Sequence, residues 1–408
     1  MHKVTVDRIP PLMLGILLLA QWAGADYFAK SAGFITVSPF SQLWATYNTP
    51  DAARLVVVIL AGLVFGMLIP TGRTLSVRDL LAQTQESATK LTNVWFGLAL
   101  FAVALLYFVK APYLLVAPEY LMTQGPAALA SVATIMGPLG ALAAGALSQR
   151  RPMVAGLCGI AIMVVLFAGA TRVFSAIPLM FLVGRTVAGV VTSKVHYLAA
   201  LVFAYATLPI PLISRSQASH GLLPYAAAVS QAVTQPDYLS GIGRTFGENI
   251  GMTVPLLIFV SKVHTIEADD MIASINPMPA DIAGWSAIME KMRVHSFIPY
   301  STLGEWASFG SGVLLAFIIG WTVIVRVCIS SISRNSGILR LPLLMLTIAL
   351  SSLIVLEMGQ YNTRAVARLV DLLILISLAD LATRRIQPAI ENLGKNRTRD
   401  DLDLATGS

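Results

Sequence analysis

The chain alternates between long uncharged stretches and short polar joints. Ala127 to Leu147 is twenty-one residues without a charge, and Met153 to Ala170 is eighteen. A helix needs about 20 apolar residues to cross the hydrocarbon core of a bilayer, where only helices and closed barrels satisfy their own backbone. This pattern predicts spans at roughly 10–25, 54–70, 93–110, 127–147, 153–171, 173–190, 195–213, 308–326, 341–358 and 365–383. The last of them is interrupted by Arg368, Asp371 and Asp380. Two other apolar runs, Leu222 to Val233 and Gly251 to Val260, are too short to span. They predict helices that lie at the interface or dip into the membrane.

Both short runs fall in one joint far longer than the rest, 214–307, where Pro255 and the Gly241 and Gly243 pair break any continuous span. Loops of that length without a job are uncommon, so chemistry is expected there. The predicted fold is all-α: a polytopic membrane protein of about ten transmembrane helices with one long, partly helical external loop. Its segments are 1–213 (seven spans), 214–307 (the loop with interfacial helices), 308–383 (three spans) and 384–408, a flexible cytoplasmic tail. Lys3 and Arg8 before the first apolar run, with Ala23, Gly24 and Ala25 after it, also resemble a secretion signal. The run is read here as the first helix.

Composition agrees with the pattern. The 408 residues are 56% hydrophobic and 12% charged, with a mean hydropathy of +0.75. Soluble domains run near 25% charged, which excludes a water-soluble globule. The net charge of +7 would point to nucleic acid in a soluble protein. In a membrane protein it follows from basic cytoplasmic loops. With the N-terminus inside, the cytoplasmic segments hold seventeen Lys and Arg and the short external segments six, which puts both termini in the cytoplasm and the long loop outside. Cys158 and Cys328 sit in or beside apolar spans, without metal-ligand spacing, and read as packing residues.

The external face carries isolated arginines. Arg172 ends the fifth span, Arg215 follows the seventh, Arg244 lies in Gly243-Arg244-Thr245-Phe246, and Arg364 opens the last. A guanidinium is a planar fork of donors that fits phosphate oxygens and stays charged at any working pH. A snorkelling interface arginine fits each position as well. Together they suggest an anionic lipid headgroup. The loop carboxylates are Asp237, Glu248, Glu267, Asp269, Asp270, Asp281, Glu290 and Glu305. A sugar hydroxyl is a poor nucleophile and needs a base beside it. Glu305 is best placed, because Gly304-Glu305-Trp306 meets the membrane as the eighth span begins, although an acidic residue there also complements a helix dipole. His220, His264 and His295 are the alternative bases. Trp44, Tyr47, Trp285, Tyr300 and Trp306 could stack on sugar rings or form an interfacial belt. No nucleotide loop, HExxH, cysteine cluster or Gly-x-Ser-x-Gly elbow appears, so ATP hydrolysis, zinc proteolysis and lipase chemistry are unsupported.

Ile275-Asn276-Pro277-Met278-Pro279, then Ile298-Pro299-Tyr300-Ser301-Thr302-Leu303-Gly304-Glu305, then Phe309-Gly310-Ser311-Gly312 running on to Gly320, close the long loop. This stretch resembles the end of the external loop in Wzy-type polymerases, the oligosaccharide repeat-unit polymerases of O-antigen and capsule assembly. Arg172 after Gly169, with Gly184 beyond, is similar to an arginine-and-distant-glycine spacing of that family, one residue longer. The resemblance covers 169–340. It implies a bacterial inner-membrane glycosyltransferase acting at the periplasmic face. Donor and acceptor would both be glycans on undecaprenyl pyrophosphate, with no metal and no cofactor. Arg172 and Arg244 would stabilise the leaving pyrophosphate and Glu305 would act as the base. Arg215, Arg364, Tyr300, Trp306 and His220 would bind substrate. A flippase and a chain-length regulator are the implied partners, and nucleic acid is not.

Three alternatives stay open on sequence. An O-antigen ligase would move the finished glycan to lipid A core. A polyprenyl-monophosphate-dependent glycosyltransferase would want an acid in the first external loop, where Asp26 and Asp51 stand. The non-enzyme reading is a lipid-linked glycan flippase or transporter. Transporters place charges or broken helices at mid-membrane, and the first five spans here lack interior charges.

Overall fold

The computed structural model describes residues 5–30, 41–72, 74–88, 91–119, 127–190, 192–207, 210–215, 217–235, 238, 251–263, 266–278, 282–292, 300–334, 340–382 and 384. Among them the chain is helical, with no strand beyond two isolated bridges, Thr5 with Ser76 and Ala117 with His220. It forms two compact units, Met1–Val77 with Met252–Ser408, and Arg78–Gly251. The long segment 214–307 is therefore divided between them.

The first unit opens with α1 (Ile9–Lys30), α2 (Ser41–Thr46) and α3 (Thr49–Leu68). Next come α4 (Val77–Ala88), α5 (Thr92–Lys110), α6 (Ala127–Leu147), α7 (Pro152–Ala168), α8 (Ile177–Val187), α9 (Lys194–Ala206), α10 (Ile210–Arg215) and α11 (Leu222–Val233). The chain returns to the first unit with α12 (Thr253–Val263), α13 (Ala268–Ile275), α14 (Trp285–Met292), α15 (Thr302–Ser308), α16 (Ser311–Ser333), α17 (Arg340–Glu357) and α18 (363–382).

Among the described residues, five helices are long and apolar enough to cross a membrane: Val6–Ala29, Thr49–Leu68, Thr92–Tyr113, Ser311–Ser333 and Arg340–Glu357. Of the other predicted spans, 127–147 is matched in full by α6 and 365–383 closely by α18, whereas 153–171, 173–190 and 195–213 form helices shorter than their hydropathy suggested. The stretch 173–190 is a 3-10 turn, Arg172–Ala176, followed by the eleven residues of α8, whose second residue is Pro178. The stretch 195–213 is broken into α9 and α10, and Pro211 opens the second. Proline lacks the N–H a continuing helix would need, so apolar length and helix length part company there. In contrast, both short loop runs are helices, α11 and α12.

In the second unit α6 packs on α5, α7 and α8 around a core of Ala102, Leu106, Ile162, Val165 and Phe174. A Cβ at Gly184 would collide with the Leu142 carbonyl, and one at Gly145 with the Phe181 carbonyl. The α6–α8 crossing therefore brings backbone against backbone, as small residues permit in membrane helices. In the first unit α16 lies along α3, and α12 is enclosed, with Thr253 through Val260 all buried. Leu43, Met252, Leu256, Phe259 and Val260 form the cluster around it. A helix apolar on every side and buried on every side is a core element rather than a surface one.

The first unit has two chemically distinct ends. Where α3 and α16 finish, Asp7 pairs with Arg326 at 2.8 Å, Arg334 donates to the Thr71 carbonyl, and Arg384 bonds Asp380 and the Ser331 carbonyl. Where α3 and α16 begin, Lys262 pairs with Asp51 at 2.5 Å, Tyr47 donates to Asp26 at 2.6 Å, and α15 carries Glu305.

Candidate functional site

The turn before α15 is built by its own side chains. The Ser301 hydroxyl accepts from the Gly304 N–H at 3.1 Å, the usual work of a serine at a helix N-cap. Gly304 follows because α12 lies too close for any side chain. A Cβ there would stand 2.7 Å from the Val260 Cβ and 3.2 Å from the Leu257 carbonyl oxygen. The next residue, Glu305, is 1% exposed.

Opposite it is the corner that links α17 to α18. The Tyr361 carbonyl accepts from both the N–H and the hydroxyl of Thr302, each at 2.8 Å, and the Met358 carbonyl from the Leu303 N–H. Asn362 caps α18 by accepting from the Ala365 N–H at 2.9 Å. Thr363 donates twice to one oxygen of Glu305, from its N–H at 2.8 Å and its hydroxyl at 2.6 Å, both to Oε2. The second oxygen, Oε1, is buried with no hydrogen-bond partner, and among the described residues no ion pair reaches Glu305. Burial without a cation disfavours the charged form, and the two bonds from Thr363 only partly offset it. The carboxyl is pushed up to about 7.

Arg364 adjoins that corner. Its guanidinium donates to the carbonyls of Ala273 at 3.0 Å, Asn276 at 3.2 Å and Met278 at 2.5 Å, and lies 5.0 Å over the Trp285 ring. The fork expected to hold substrate thus closes the end of α13 and holds the Asn276-Pro277-Met278 turn. The two segments that carried the family resemblance within the described loop, Asn276–Met278 and Tyr300–Glu305, meet at the Tyr361–Arg364 corner. Trp306 stacks on Phe317, centroids 4.5 Å apart and planes 10° from parallel, and Tyr300 donates to the Met289 carbonyl at 3.2 Å.

Asp51 is held by Lys262 and by Asn48, and Asp26 accepts from Tyr47 and from Thr49. Asp26, near the end of α1, and Asp51, at the start of α3, are therefore both engaged in the fold. The Tyr47 hydroxyl, buried against the Asp26 carboxylate, is pushed above the usual tyrosine range.

In the second unit His220 is fixed from two sides. Its backbone pairs with Ala117 through bonds of 2.7 and 2.9 Å, and its Nδ1 lies 2.8 Å from the Tyr225 hydroxyl. With Lys110, Tyr113, Glu119, Gly169 and Tyr225 it lines a shallow, partly open cleft. The turn that leads to Arg172 begins at that cleft. Ala170 takes a left-handed φ of 48°, and the Thr171 N–H closes back on the Leu166 carbonyl, which caps α7. The side chains of Arg172 and Arg215 lie outside the described residues, as do Arg244, His264, His295, Asp237, Glu248 and Asp281 and the tail beyond 384. Of the remaining loop carboxylates, Asp270 stands 3.8 Å from Lys291.

Thr363 is the functional candidate that sequence reasoning missed. A lone threonine in Tyr361-Asn362-Thr363-Arg364 carries no signal, since its partner lies 58 residues away. No family model, curated protein or solved structure matches the chain.

Proposed function

We propose that the protein polymerises polyprenyl-pyrophosphate-linked oligosaccharide repeat units on the outer face of a bacterial inner membrane, with Glu305 as the base. In this reading about ten segments enter or cross the bilayer, both termini are cytoplasmic, and the start of α16 faces the periplasm. The polarity of the first unit supports that orientation, because Arg326, Arg334 and Arg384 gather where α16 ends.

The observation that carries the reading is Glu305. It is enclosed and held through one oxygen, and among the described residues it has no cation and no partner for the other oxygen. A carboxyl near 7 is matched to proton abstraction at neutral pH. The acceptor hydroxyl would attack the anomeric carbon of the donor as the bond from that carbon to pyrophosphate breaks. The bonding electrons leave with pyrophosphate, and the hydroxyl proton passes to Oε1. Because Oε1 is enclosed, a hydroxyl reaches it only as neighbouring side chains move aside. Arg172, Arg215 and Arg244 remain the candidates for neutralising the leaving group, where charge develops. Arg364, committed to three carbonyls, would act through the architecture of the loop.

The test is a purified-protein assay supplied only with lipid-linked repeat units. A polymerase converts them into a ladder of longer lipid-linked glycans. A ligase would need lipid A core, and a flippase would form no new glycosidic bond. The ladder is expected from wild type and lost or strongly slowed in Glu305→Gln. Folded wild-type protein that builds no ladder would end the proposal.

A further inference from the structure

The reading above makes Glu305 a base but leaves open what makes one of its oxygens the reactive one. The geometry points to Thr363 as the positioning residue for Glu305: its two donors immobilise Oε2 and leave Oε1 as the oxygen that takes the proton. This inference rests on the proposed function for its catalytic meaning, and on the distances for the rest.

Two donors from one residue do what one could not. The 2.8 Å bond from the Thr363 N–H fixes where Oε2 sits, and the 2.6 Å bond from the hydroxyl fixes the rotation of the carboxyl about it. The threonine is itself held, being 2% exposed at the start of α18, with Asn362 capping that helix and Tyr361 tied to Thr302. The loop closed in this way is reciprocal: Thr302 reaches across to Tyr361, and Thr363 reaches back to Glu305. Hydrogen bonds of this kind stabilise the ionised form more than the neutral one. Thr363 therefore lowers a proton affinity that burial raises, and keeps the carboxyl able to ionise near neutrality.

Other charges do not supply that function. The charged groups on the elements around Glu305 are Lys262 on α12, Arg326 on α16, Arg340 and Glu357 at the two ends of α17, and Arg364, Arg368, Asp371 and Asp380 on α18. Lys262 is paired with Asp51, and the Arg364 fork is turned onto the carbonyls of Ala273, Asn276 and Met278. No member of this set forms an ion pair with Glu305 among the described residues.

The deciding experiment follows the Glu305 carboxyl directly, by infrared titration of its protonated C=O stretch in the full chain reconstituted in lipid nanodiscs. Subtracting the Glu305→Gln spectrum isolates the band. Thr363→Val, which keeps the shape and the N–H but removes the hydroxyl, should raise the midpoint by about one pH unit, a tenfold change in proton affinity. Thr363→Ser should return it to the wild-type value. In the polymer assay the rise of kcat with pH should move upward by the same amount in Thr363→Val, with KM little changed. A merely structural threonine would lower the rate at every pH and leave the midpoint in place. An unmoved infrared midpoint in Thr363→Val, with Thr363→Ser also unchanged, overturns the inference. If the midpoints move as stated but Glu305→Gln polymerises at the wild-type rate, the base assignment fails and the Thr363–Glu305 coupling stands.

Discussion

Asp7 and Glu305 are both 1% exposed, they sit toward opposite ends of α16, and the protein satisfies one and leaves the other incomplete. Asp7 meets the Arg326 Nε at 2.8 Å and the Thr74 hydroxyl at 3.0 Å, while the same guanidinium donates to the Gly66 and Ile69 carbonyls at 2.7 Å each. The charge is compensated, the fork is filled, and the N-terminal segment is fastened to the end of α3. Among the described residues Glu305 has two bonds to one oxygen, none to the other, and no cation. Isolated charges are costly to bury, so a buried carboxylate left uncompensated opposes folding rather than assisting it. One end of the unit is finished as structure, and the other keeps a carboxyl that can gain and lose a proton.

The largest effect should come from breaking the finished end. Asp7→Ala leaves a guanidinium buried without its partner, a change that costs about 3–5 kcal/mol. Thermal unfolding in detergent should show that loss, and the double variant Asp7→Ala with Arg326→Met should recover most of it. A single variant as stable as wild type would mean that the pair is dispensable.

The unfinished end should respond in the opposite direction. The Glu305 carboxyl rises from 4.5 to about 7 on folding, so the folded chain holds a proton that the unfolded chain has released. Stability tied to this group is complete below about pH 4.5 and falls as pH rises through about 7. One pH unit is worth about 1.4 kcal/mol, so the shift amounts to about 3 kcal/mol across that window. Glu305→Gln should remove this slope. Its melting temperature should match wild type at pH 5 and exceed it at pH 8. A gain in stability with a loss of activity is the usual mark of a residue kept for chemistry.

How far this contrast was legible in the sequence depends on how far apart the partners lie. The apolar runs identified most of the helices, and the short runs 222–233 and 251–260 were readable as helices too short to span. Glu305 stood out because Gly304-Glu305-Trp306 leads directly into the apolar run of the eighth predicted span. Span lengths were misjudged at 173–190 and 195–213, where Pro178 and Pro211 stand in the first turns of new helices that hydropathy alone would run together with what precedes them. Asp7 with Arg326 was illegible, since 319 residues separate them. So was the fate of Arg364. A guanidinium that grips carbonyls and one that grips phosphate look alike in one dimension.

A smaller effect sharpens the contrast at its border. Arg364→Lys replaces a fork serving three carbonyls with a point charge that cannot serve them all, and should cost about 1–3 kcal/mol. The Asn276–Met278 turn should then exchange amide hydrogens faster, while the Glu305 titration stays near its wild-type midpoint. A large shift of that midpoint would mean that Arg364 contributes charge to the base as well as shape to the loop.

The central claim is that Glu305 is an uncompensated carboxyl used as a base. Its most direct test is the initial rate of chain growth on lipid-linked repeat units, followed from pH 5 to 9 in wild type and Glu305→Gln. The account predicts a wild-type rate that climbs through a midpoint near 7 and then levels. It predicts a Glu305→Gln rate lower by about 100- to 10,000-fold above that midpoint, with no climb. Equal rates in the two proteins, or a wild-type profile that stays flat across the range, would contradict it.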